Sequence, residues 1–152
     1  MAIEAPVSKF RRNNLKIYIV VCILATIWLA YDGYFNEKFI EEHSPEGVPD
    51  STLVFNQKAP TVFVGIAVLL GIKLLLISKK KLIADEKELI FSDSDRITYD
   101  SIEQINKTNF DSKGYFLITY KAENGKEAER KLSDRTYDNL KAVLDHIVAK
   151  IT

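Results

Sequence analysis

Few residues in this 152-residue chain have the type and spacing that catalysis requires. His43 and His146 are its two histidines, and Cys22 is its single thiol. A nucleophile–base pair needs the two groups side by side. The histidines, however, fall on opposite sides of the longest apolar run, and Cys22 lies inside another such run. One cysteine gives neither an internal disulfide nor a Cys/His metal cluster. Asp93 and Asp95, in the run SDSD, have the spacing of a paired-carboxylate or cation site. Without a further ligand motif they read as a strand-linking turn. Asn106-Lys107-Thr108 fits a glycosylation acceptor, but it falls in a stretch expected to be cytoplasmic. No catalytic residue, metal or cofactor is expected.

Two sets of residues remain. Arg11, Arg12 and Lys16 precede the first apolar run, and Lys79, Lys80 and Lys81 follow the second. Each can attract anionic lipid by about 1 kcal/mol near a membrane surface, as nonspecific contact. Cys22, Thr26 and Ala30 repeat every four residues on the first run, as Ala67 and Gly71 do on the second. Small residues let helix backbones approach in lipid, so these five are expected to pack the two runs together.

The runs themselves position everything else. Pro60–Ser78 holds one charge, Lys73, and has no polar face. At about 1.5 Å per residue it matches the thickness of a bilayer's hydrocarbon core. Ile17–Tyr31 is uncharged behind a basic flank, which is also the pattern of a signal peptide. Bulky Trp28, Leu29 and Tyr31 leave no small-x-small cleavage site, so an anchor is expected, with Asp32 at the interface. The expected organisation is a tail at 1–14, a transmembrane helix at 15–35, a loop at 36–59, a second transmembrane helix at 60–78 and a domain at 79–152. Lysine and arginine crowd the two outer flanks, while the loop has only Lys38 and Lys58. That bias predicts a multi-pass protein of the inner membrane with both termini cytoplasmic and the loop extracytoplasmic. His43 reads as a solvated loop histidine.

Beyond Lys81 the apolar period drops to two. Strands are predicted at Leu82–Ala84, Glu88–Phe91, Arg96–Tyr99, Ile102–Asn109, Tyr115–Lys121 and Ala128–Leu132. In the last hairpin, a loop with Gly125 at a bulge sets Phe116, Ile118 and Tyr120 beside Ala128 and Leu132. A helix capped by Ser133 or Asp134 should follow, with Tyr137, Leu140, Leu144, Ile147 and Ile151 as its buried stripe and His146 exposed.

The stretches KKKLIADEKELIF, ITYDSIEQINK and GYFLITYKAENGKEAERKL, with the closing helix SDRTYDNLKAVLDHIVAKI, resemble a bacterial pleckstrin-homology-like domain. Leu82–Leu89 fits the family's phrase L-x-x-D-x-x-x-L, and Tyr99, Ile102 and Ile105 fit Y-x-x-I-x-x-I. The resemblance covers residues 79–152. It implies a membrane α-helical hairpin plus an α+β domain: a small antiparallel β-barrel closed by a C-terminal amphipathic helix. It also implies binding and scaffolding without enzymatic activity. The chain departs from phosphoinositide-binding members at the acidic Asp85-Glu86-Lys87-Glu88 turn and in lacking a tryptophan on the last helix.

Charge is balanced, 21 basic against 21 acidic overall, and fourteen against fourteen in residues 79–152. Balance of this kind excludes a bulk nucleic-acid binder. The expected function is a membrane-anchored adaptor, assembly factor or accessory subunit. Its expected partners are membrane lipids and a partner protein, a larger membrane complex or a second copy of itself. An anionic-lipid sensor of the inner leaflet is the alternative.

Overall fold

The computed structural model describes residues 2–122 and 124–151. The chain divides into two compact units: residues 13–75, and the first twelve residues together with those from Leu76 onward.

The first unit is a helical hairpin. Helix α1 spans Lys9–Tyr34 and helix α3 spans Ser51–Ser78, with the short α2 at Glu37–Glu42 between them. Both long helices reach about 40 Å and are apolar enough to cross a membrane. Only 11% and 6% of their most apolar windows are buried, so neither is the core helix of a soluble domain.

Helix α3 begins nine residues before Pro60, where the sequence suggested its start. The cause is a cap: Asp50 Oδ1 accepts the Thr52 and Leu53 N–H groups, each at 2.9 Å. The expected 36–59 loop is correspondingly shorter. His43 is not a free loop histidine either, because its Nδ1 meets Asp50 Oδ2 at 2.8 Å and its ring lies 4.3 Å from that of Phe39.

The packing stripes step by three and four. Leu15, Ile19, Cys22, Thr26, Leu29 and Gly33 are buried or half-buried on α1. Leu53, Asn56, Pro60, Phe63, Ala67, Leu70 and Leu74 are so on α3. Alternation of three and four is the heptad seam of a left-handed antiparallel pair. Pro60 cannot donate to the Asn56 carbonyl four residues back, and Gly33 of α1 packs against that carbonyl. A Cβ on Gly33 would stand 2.8 Å from both the carbon and the oxygen of Asn56.

Among the described residues the second unit holds seven strands. One sheet has the order β1 (Ile3–Pro6), β2 (Lys81–Ala84), β3 (Glu88–Ser92), β4 (Asp95–Thr98). The other has the order β5 (Ile102–Asn106), β6 (Tyr115–Lys121), β7 (Glu127–Ser133). All pairings are antiparallel. The sheets remain separate and no closed barrel forms among the described residues. A 3-10 turn at Tyr99–Ser101 carries the chain from β4 to β5. Both sheets and helix α5 (Leu140–Ile151) bury one core, built on Leu82, Leu89, Ile97, Phe116, Ile118, Leu132, Val143 and Ile147.

The N-terminal tail contributes strand β1 to this unit. Ile3 pairs with Ala84 and Pro6 with Lys81, and Ala5 is fully buried. On its other side the segment before α5 covers it: Asp138 donates to the Pro6 carbonyl and Ser8 to that of Thr136, both at 2.9 Å. Val7 forms a single antiparallel bridge with Tyr137.

The last hairpin has the bulged register: Phe116 faces Leu132 and Tyr120 faces Ala128. Gly125 takes φ +74° in its turn, while Glu123 of the same turn lies outside the described residues. Helix α5 departs from expectation. It starts at Leu140, not behind Ser133 or Asp134, and Tyr137 is held in the bridge to Val7. Val143 takes the buried place expected of Ile151, which is 41% exposed. A one-turn helix α4 (Phe110–Lys113) ends at Gly114, where φ of +67° strains any side chain and a Cβ would force the Asp134 carboxylate to move.

Candidate functional site

The five residues expected to pack the hairpin divide. Cys22 is buried, its carbonyl accepting the Thr26 hydroxyl at 2.8 Å. Ala30 and Ala67 are half-buried. Gly71 is not a packing glycine, since a Cβ there would meet nothing within 4 Å. The glycine that packs is Gly33, beside the polar end of the seam. There Gln57 Nε2 donates to the Gly33 carbonyl (3.1 Å) and the Tyr34 hydroxyl donates to that of Gln57 (2.8 Å). A small residue one turn from an aromatic cluster was the available signal.

Of the basic set, Arg11, Lys16, Lys79, Lys80 and Lys81 are exposed and Arg12 is half-buried. Arg12 Nε is buried without a hydrogen-bond partner. Lys81 is paired with Glu4.

His146 is half-buried, not exposed. Its Nε2 lies 2.9 Å from the Asp85 carbonyl, which also accepts the Tyr99 hydroxyl at 2.8 Å. A carbonyl only accepts, so Nε2 carries the proton. Burial, and then the charges of Asp85, Glu86 and Glu88, push the Tyr99 hydroxyl up to about 12. Tyr99 thus stays a neutral donor, and the trio ties the β2–β3 turn to the 3-10 turn and to α5.

Asp95 is not part of a carboxylate pair. Arg130 grips it through two bonds of 2.6 and 2.7 Å, linking β4 of one sheet to β7 of the other. Those bonds hold the Asp95 carboxyl below its ordinary range. The same guanidinium lies 3.8 Å over the Phe91 ring. Among the described residues no group of three or more His, Cys, Asp or Glu is placed to hold a metal.

An opening with an apolar floor runs beside α5. Two adjoining hollows, of about 390 and 250 Å³, share Lys107 and Val148. Phe110 and Leu144 line the first, and Ile102, Ile105 and Ile151 the second. Strand β5 borders them. It pairs only with β6, so its outer edge has no strand partner among the described residues. An unpaired edge beside an apolar trough is the geometry that accepts an extended segment as an added strand. Lys107, Lys141, Asp111 and Asp145 line the first hollow, two of each sign, which favours neither sign of charge.

No protein-family model, no curated protein and no solved structure matches the chain.

Proposed function

We propose that this chain is a non-enzymatic, membrane-anchored interaction protein of a bacterial inner membrane. In this reading it serves as an adaptor, assembly factor or accessory subunit, docking through a pleckstrin-homology-like domain on the cytoplasmic side. The observation that carries the reading is the unpaired edge of β5 beside the trough lined by Ile102, Ile105, Val148 and Ile151. A partner segment with apolar side chains at alternate positions would extend the second sheet and set those side chains in the trough. Tethering to one bilayer raises the local concentration of the partner, so a small interface is sufficient.

Four strands followed by three, with a C-terminal helix on a shared core, support the pleckstrin-homology-like reading. The seventh strand comes from the N-terminal segment, and the helical hairpin is an insertion between strands one and two. Pairing of β1 with β2 brings both ends of that hairpin into one unit. This supports a two-pass arrangement with both ends on one face. The excess of lysine and arginine there makes that face the cytoplasmic one.

The test is co-purification. Tagged full-length protein, solubilised in mild detergent from its own host, should bring down a discrete assembly. Ile151→Asp, at an exposed position, should abolish that assembly while leaving the circular dichroism unchanged. Retention of the assembly by this variant would sink the trough as the docking site.

A further inference from the structure

Within the unit that holds the sheets lies a further cleft, of about 240 Å³. Lys79, Lys80 and Lys81 line one side, where the chain leaves α3 and enters β2. Ile83, Ile90 and Phe91 form the apolar side, with Ser92 and Asp93 at the end of β3. The three lysines are not equivalent. Lys81 is engaged by Glu4, whereas Lys79 and Lys80 have no ion-pair partner among the described residues. Two free ammonium groups and a hydroxyl thus border an apolar wall. Lys79 also follows directly on Ser78, the last residue of an apolar helix long enough to cross a bilayer.

We propose that this cleft binds the headgroup of one anionic glycerophospholipid of the adjacent leaflet. The phosphate meets the Lys79 and Lys80 ammonium groups and the Ser92 hydroxyl, and the glycerol backbone lies against Ile83 and Phe91. Phe91 is a fixed wall because the Arg130 guanidinium, itself held by Asp95, covers its ring. With two free cations and the Asp93 carboxylate at the rim, the cleft has a net charge that matches a headgroup of single negative charge. Lipid contact here is a stoichiometric site, not the diffuse attraction that a lysine run alone provides.

The inference rests on the membrane-anchored reading. Full-length protein is placed in nanodiscs of equal parts phosphatidylcholine and phosphatidylglycerol, and the lipids it retains on release are counted by native mass spectrometry. One phosphatidylglycerol should be retained in preference. K79Q/K80Q should lower that preference about tenfold or more, as the loss of two ammonium contacts implies, and S92A should lower it less. K113Q/K126Q removes the same charge from exposed positions outside the cleft and should leave it unchanged. Equal losses in both double variants, no preference in the wild type, or displacement of the lipid by inorganic phosphate would each overturn the proposal. Failure to enter the nanodisc overturns the anchoring and this proposal with it, whereas insertion without lipid preference overturns this proposal alone.

Discussion

Strand β1 makes the sharpest demand on experiment, because residues 79–152 resemble a complete domain and lack it. In a fragment beginning at residue 79, Val7 and Ala5 leave the core, where they are 4% and 0% exposed. Burial of those two side chains stabilises the unit by about 2–4 kcal/mol. The main-chain and side-chain bonds of the segment contribute a similar gross amount, which the regained conformational entropy of six or seven freed residues largely offsets. Against a usual total of about 5–15 kcal/mol, the fragment keeps little margin. It also exposes the edge of β2, a template for aggregation. The comparison is a chain in which residues 2–8 run through a short glycine-serine linker into 79–152, bypassing the hairpin. The linker is short because Pro6 and Lys81 are paired. Urea titration should show one cooperative transition for the linked chain and a midpoint lower by about 2–4 kcal/mol equivalent, or no transition, for the fragment. Equal stability of the two would refute the reasoning and return residues 3–6 to the status of a tail.

Three other expectations follow from particular contacts. Gly33→Val should loosen the hairpin by about 1–3 kcal/mol, read as thermal unfolding in detergent, while Gly71→Val, facing open space, should be neutral. Asp95→Asn should cost at most about 1 kcal/mol, since the ion pair is partly exposed. Because the folded Asp95 pKa lies below its ordinary 3.8, that contribution is present above pH 4 and disappears as pH falls through the folded value. Acid titration of wild type and variant should therefore converge at low pH. For topology, a cysteine placed at Ser51 should react with a membrane-impermeant thiol reagent in intact cells, and one at Ser112 should not.

What the sequence revealed depended on how far apart the interacting residues lie. Long apolar runs declare helices by composition, and the alternation in Tyr115–Lys121 and Glu127–Ser133 declares a hairpin whose register one glycine decides. Ile3-Glu4-Ala5-Pro6 declares nothing. Four residues containing a proline are no strand until β2 is known to lie beside them. The start of α3 was hidden for a local reason: Pro60 resembles a first-turn residue, and only the Asp50 cap shows that the helix is already under way. The small residues were read with a period of four, whereas the heptad seam takes Cys22, Thr26 and Ala67 and passes by Gly71. His43 and His146 looked solitary because their partners, Asp50 and the Asp85 carbonyl, are set by folding. The trough beside β5 left no mark on the sequence. Its walls come from β5, α4 and α5 and have no common motif.

The insertion of the hairpin between β1 and β2 also imposes an order on biogenesis. Ile3 leaves the ribosome early, and its partner Ala84 follows only after both apolar helices have been made. If the hairpin spans a membrane as proposed, the first sheet cannot close while the hairpin is still being delivered to it. Contacts of such long sequence separation form late and slowly. A nascent chain whose second helix fails to insert would strand β1 and β2 on opposite faces of the bilayer and leave the domain unassembled for proteolysis. On the proposed two-pass reading, closure of the sheet is therefore a built-in readout of correct insertion.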